Sequence, residues 1–161
     1  MSLYMKLPHI SGNVTTKGYE GWIELEHFDF TGITQHMSNQ VGVKQNRLVN
    51  APYIGVIHLI KKSDKSSIAL FEYARDARVI PTLDIHTLST GNPPTAYSKY
   101  HLGKVFVSHY SDDYASGNDA HQEYLTLNYE TIQKTHIPRD SANKVGSPLM
   151  SGYDLSKADS L

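Results

Sequence analysis

Cysteine is absent from the 161 residues, and with it go disulfide staples, thiolate nucleophiles and cysteine-ligated zinc or iron–sulfur centres. Neither sign of charge is in excess: 15 basic residues stand against 16 acidic ones, for a formal charge of -1. A chain that holds nucleic acid through bulk charge carries a basic excess or stripe, so no nucleic-acid partner is expected. Long apolar runs are missing too. The best one, Tyr53 to Ile60, falls far short of the roughly 20 residues of a membrane-crossing helix and contains His58. Met1 to Lys6 lacks a basic segment followed by an apolar one, so neither membrane insertion nor a cleaved leader is expected.

Catalytic motifs are equally scarce. Glycine-rich phosphate loops of either common spacing do not occur, nor does a Gly-x-Ser-x-Gly elbow or a His-Glu-x-x-His pair. Nine histidines are present, yet none is closely paired with another. His101 and His109 share a strand parity, but at 3.3 Å per residue they stand roughly 26 Å apart, too far to bind one ion. Asp112, Asp113, Asn118 and Asp119 surround a glycine as calcium ligands do; they fail the EF-hand spacing, and a solvated turn accounts for them better. The sequence therefore predicts no catalytic residue, no metal and no cofactor.

What is present reads as strand. Eleven tyrosines and many Val, Ile and Thr fall in short runs separated by Gly, Pro, Asn and Ser. At this length, with 39% hydrophobic residues, one core and one domain over residues 1–161 are expected. Strands are predicted at Leu3 to Ile10, Tyr19 to Phe30, Tyr53 to Lys62, Thr82 to Leu88, Tyr97 to Tyr110, Glu123 to Ile137 and Leu149 to Leu155, with a frayed end after Ser156. Two of them are apolar on both parities. Trp22, Phe28 and Phe30 oppose Ile23 and Leu25, while Tyr100, Leu102, Phe106 and Tyr110 oppose Val105 and Val107, which calls for a cover on each face. One helix is predicted from Ser67 to Ala77, with Leu70, Phe71, Ala74 and Ala77 as its core stripe and Leu70 and Phe71 against the sheet. Pro81 stops it. The fold class is thus mainly β: an antiparallel β-barrel, which leaves no open edges, with one flanking α-helix.

Thr31 to Pro52 has no period and few large apolar residues. A loop of that length in a compact domain is usually functional, so this long extended loop is the first candidate for a binding role.

The order Asp64-Lys65-Ser66-Ser67, one helix, Ile80-Pro81, a strand, Gly91-Asn92-Pro93, Tyr97-Ser98-Lys99, Val105 to Ser111 and the ending Gly152 to Leu155 resembles the haemolysin-coregulated protein family over nearly the whole chain. These are the tube proteins of bacterial type VI secretion. The resemblance implies a non-enzymatic structural subunit that forms homohexameric rings, stacks them into a hollow tube, carries effector proteins in the lumen, meets spike, sheath and baseplate proteins, and passes from the bacterial cytoplasm to the outside. In that setting Gln35, Asn39, Gln40, Lys44, Gln45 and Arg47 of the long loop are the side chains expected to touch the next ring, since polar rims suit reversible contacts. The alternative is a monomeric β-barrel that binds a small ligand or sugar in its mouth.

Overall fold

The computed structural model describes residues 1–42, 44, 51–117 and 121–161, and in it strands follow one another with a single helical interruption. In chain order they are β1 (Ser2–Lys6), β2 (Ile23–Leu25), β3 (His27–Phe30), β4 (Ile33–Thr34), β5 (Tyr53–Ile54), β6 (Ile57–Lys62), α1 (Ser67–Asp76), β7 (Ile80–Leu88), β8 (Ala96–Asp113), β9 (Gln122–Asn128), β10 (Thr131–His136), β11 (Leu149–Asp154) and β12 (Asp159–Ser160). All pairings are antiparallel.

The 18-residue β8 organises the rest. Its first half pairs β7 on one side and β10 on the other; its second half pairs β9. From β7 the sheet runs on to β1 and β2, and from β10 to β11 and β12. A branch leaves β8 through β9 to β6 and β3. The expected barrel is therefore present as an open path with a branch, not as one hydrogen-bonded cylinder. β2 and β3 lie in different sheets although only Glu26 separates them.

The core lies between these layers and is filled by Ile23, Leu25, Ile57, Leu59, Leu83, Ile85, Leu102, Val105, Leu125 and Leu127 among others. A smaller cluster sits on the opposite face of the sheet, where Val14, Tyr19 and Trp22 fold over Tyr4, Leu88 and Ala96.

The two-sided apolar strands have an internal cause. At Glu26 the run breaks, so the inward positions change from Ile23 and Leu25 to Phe28 and Phe30, and Trp22 turns to the second cluster. In β8 the inward parity holds Tyr100 and Leu102, then changes at Lys104, whose φ of 48° is left-handed, to Val105 and Val107. It returns to Tyr110 after a register shift between Val107 and His109. Phe106, expected on the parity of Leu102, consequently faces outward. A cover from outside the chain is not needed to explain either strand.

Other boundaries differ for local reasons. The expected strand from Glu123 to Ile137 is two, because the chain turns at Tyr129 and Glu130; the buried Tyr129 hydroxyl donates to Gly55 O at 2.5 Å. The expected frayed end is a short strand. Asp154 accepts from Ser156 N at 2.9 Å and Lys157 N at 3.2 Å, which turns the chain so that β12 pairs β11. Ser111 to Asp113 extend β8, and the loop after them is shorter than expected.

Helix α1 occupies the expected place with a different inward stripe. Leu70 is buried, with Ala69, Tyr73 and Ala74 packed against the core. Phe71, one residue or about 100° on from Leu70, is 49% exposed and meets Tyr110 edge-on, at 5.8 Å between rings. Ala77 is the left-handed C-cap at φ 50°, not a core residue.

Candidate functional site

The long segment after β3 is not a bare loop. Ile33 and Thr34 pair Ile54 and Tyr53, so β4 and β5 make the root of an arm. Gly32 has φ +106°, which residues with a side chain rarely adopt, and a Cβ on Gly55 would lie 2.0 Å from Thr31 Oγ1. Both glycines are thus required for the strands to meet, and Gly55 N donates to Gly32 O at 2.9 Å across the root. Of the expected contact residues, Gln35 lies just past β4, and Asn39, Gln40 and Lys44 are exposed further along. Gln45 and Arg47 lie outside the described residues.

Behind the arm root is a groove of about 420 Å³ that the sequence reading did not anticipate. One wall is the arm, through Ile33, Gln35 and Ile54; the other is the margin of the core on the sheet, through Tyr100, Ile132 and Tyr153. Phe30 closes it at the base, with its ring 6.0 Å from that of Tyr100. Among the described residues Lys134 is the one charged side chain in the lining, and its ammonium stands 5.6 Å from the Tyr100 ring. The groove follows from register. Ile132 pairs Tyr153 and Leu102, Lys134 pairs Ser151 and Tyr100, and all of these lie on the parity that packs the core further along the sheet. Among the described residues it is the β4–β5 arm that stands over this face, and the groove is the gap left between them. The legible signal was the apolar Ile132 beside the polar, half-buried Gln133, but the groove itself depends on which strands pair.

A second cluster, at the start of α1, joins four elements. Lys61 of β6 and Glu123 of β9 are fully buried, and Lys61 Nζ donates to Glu123 Oε2 at 2.6 Å. Ser67 Oγ donates to the same oxygen at 2.9 Å, and Tyr110 OH to Glu123 Oε1 at 2.7 Å. Burial and then this bond raise the Tyr110 phenol well above its ordinary range. Asp64 Oδ1 lies 3.1 Å from Lys61 Nζ and accepts from Ser66 N at 2.8 Å. Ser66 itself makes no side-chain cap bond, so Asp64 and Ser67 fasten the helix start instead. Sequence parity carried a trace of this: Ile57, Leu59 and Lys61 alternate, as do Glu123, Leu125 and Leu127, and β6 and β9 bring Lys61 opposite Glu123. A serine beside a buried lysine suggests a nucleophile with its base. Here Lys61 Nζ is a donor to Ser67 Oγ at 3.3 Å and is already held by two carboxylates, so it does not act as a base toward that hydroxyl.

The histidines do not converge, and several have a local partner of their own. His101 pairs Asp84 at 2.6 Å on the exposed sheet face, and His58 meets Thr126 at 3.0 Å. His86 lies against Tyr19 and Trp22, and its burial, then the nearby Lys99, push its pKa down to about 4. No group of three metal-ligating side chains converges among the described residues.

A family profile described as "Type VI secretion system effector, Hcp" matches residues 4–136. The chain belongs to the Hcp family. Its fold agrees over almost its full length with solved members. A structure described as a type six secretion system protein superposes with a TM-score of 0.92 at 23% identity, covering 99% of each chain. Hcp1 from Salmonella typhimurium gives 0.80 at 19% identity, over 99% of this chain and 98% of that one. A type VI secretion system effector from Yersinia pestis gives 0.75 at 12%, over 94% and 98%. No curated protein sequence matches. At these identities the neighbours establish the Hcp fold, and the groove and the polar cluster are features of this Hcp chain. It has no helix long and apolar enough to cross a membrane among the described residues.

Proposed function

We propose that this Hcp is a non-catalytic structural subunit of the type VI secretion tube, a single domain over residues 1–161 that closes into homohexameric rings. The observation that carries the reading is the uncovered groove. An open, mostly apolar groove at the margin of the core, walled by Ile33, Ile54, Tyr100 and Tyr153, is the kind of surface another protein surface buries, and a repeated heterologous contact closes into a ring. The barrel reading is supported by the circuit β1–β2, β3–β6–β9–β8–β7–β1, in which Glu26 N donates to Ile60 O at 2.8 Å across the one break.

In this reading the rings stack into a hollow tube that carries effector proteins, leaves the cell, and meets spike, sheath and baseplate proteins. The arm beyond β4 makes the stacking contact through Gln35, Asn39, Gln40, Lys44, Gln45 and Arg47. Its root is held by the β4–β5 pairing and its described residues beyond are mostly polar, Met37 and Val41 excepted, which suits a contact that forms and releases.

Native mass in solution tests the ring. Six copies of 18.0 kDa elute at about 108 kDa, and the size does not grow with concentration once the ring is closed. A monomer at micromolar concentration overturns the reading and leaves a ligand-binding module in its place.

A further inference from the structure

The ring reading leaves open what fills the groove, and one other surface of the chain matches it in apolar character and charge. Ile68 and Phe71, at i and i+3 of α1, lie on one side of the helix and are 70% and 49% exposed. A lone exposed apolar residue is ordinary, but two together on a raised helix are a surface of another kind. Glu72 stands four residues after Ile68 on the same side. Arg75 and Arg78 are both engaged by Asp76, at 2.8 and 3.1 Å, and no ion pair holds Glu72 among the described residues. In the groove the charge is opposite, since Lys134 is the only ionised group among the described lining residues.

The helix is also held as a docking element should be. Only Leu70 of α1 is fully buried, yet its first turn is bolted to β6 and β9 through Asp64, Ser67, Lys61 and Glu123. A buried ion pair contributes little net stability but fixes one arrangement. A rigid helix loses less conformational freedom on docking than a mobile one. Moreover, α1 packs against β8, near Ser108 to Tyr110, whereas the groove lies past the first half of β8, by β10 and β11. The two patches are separate, so a contact between them is head-to-tail, the kind that closes into a ring.

We propose that α1 of one copy seats in the groove of the next, with Ile68 and Phe71 entering between the arm and β10–β11, and Glu72 facing Lys134 of the neighbouring copy. This inference rests on the ring reading and specifies its interface.

Charge exchange in the full chain tests it, read by sedimentation across a dilution series. Glu72→Lys and Lys134→Glu are each expected to raise the concentration at which rings fall to monomers by about tenfold or more. The double variant is expected to return to within about threefold of the parent, and so is an equimolar mixture of the two single variants, whose alternating ring pairs opposite charges at every contact. Rings equally stable in all variants, or a double variant no better than the singles, overturn the interface while the parent's ring stands. A parent chain that is monomeric overturns the ring reading itself and this inference with it.

Discussion

The imidazole of His86 meets Tyr19 OH at 3.1 Å and lies 4.7 Å from the Trp22 ring, and a proton placed on it loses much of its hydration. With its pKa pushed down to about 4 from the ordinary 6.5, the folded chain refuses a proton that the unfolded chain accepts between those values. Stability is therefore full above pH 6.5 and falls as the pH drops toward 4. The ring is partly exposed, so solvent screening keeps the loss below the roughly 3 kcal/mol that the shift alone would give. Urea midpoints at pH 7, 5 and 4 should fall less steeply for His86→Gln than for the parent; parallel curves would show that His86 does not contribute. The Lys61–Glu123 pair makes a second residue-scale prediction. Lys61→Met leaves the Glu123 carboxylate buried without its cation and should cost about 3–5 kcal/mol, of which the double variant Lys61→Met with Glu123→Leu recovers more than half. Denaturant midpoints at fixed protein concentration measure both.

Among the elements, α1 shows how narrowly helical spacing must be read. Leu70 and Phe71 are adjacent, and a helix cannot turn both of them onto a flat sheet. Leu70 takes the core position and Phe71 the rim. Leu70→Ala should cost about 2–5 kcal/mol by leaving a cavity, whereas Phe71→Ala should cost less than about 1.5 kcal/mol, the worth of an edge-on aromatic contact. Thermal unfolding separates them, and equal losses would mean that Phe71 is packed inward. In β8 the same lesson appears in strand form. Its residues alternate faithfully over stretches, but Lys104 at φ 48° and the shift near Ser108 each change which parity is inside. Alternation predicts faces only between such points.

For the whole molecule, the arm beyond its groove-lining root is the part whose removal should leave the ring intact. The root, with Ile33, Gln35 and Ile54, stays in place, and loop length between fixed ends affects stability only logarithmically. Replacing residues 36 to 47 by a short Gly-Ser linker should spare the ring mass and abolish stacking into tubes. Electron microscopy decides it: tubes as long as those of the parent would show that stacking lies elsewhere.

The sequence by itself determined the strand-rich class, the single helix, the absence of thiol chemistry and the order of pieces that marks the family, because each depends on composition or on neighbours along the chain. The arm was legible as an unusually long polar connection; its hairpin root was not, since Thr31–Ile33 and Tyr53–Gly55 meet only across twenty residues. Tertiary structure alone decided two further features. The groove exists because β8, β10 and β11 carry their core-facing parity to the margin of the core, where the arm stands opposite, which no local period records. The Lys61–Glu123 pair exists because strands 62 residues apart in sequence align in register, so that two charges, each unfavourable inside by itself, are buried against one another.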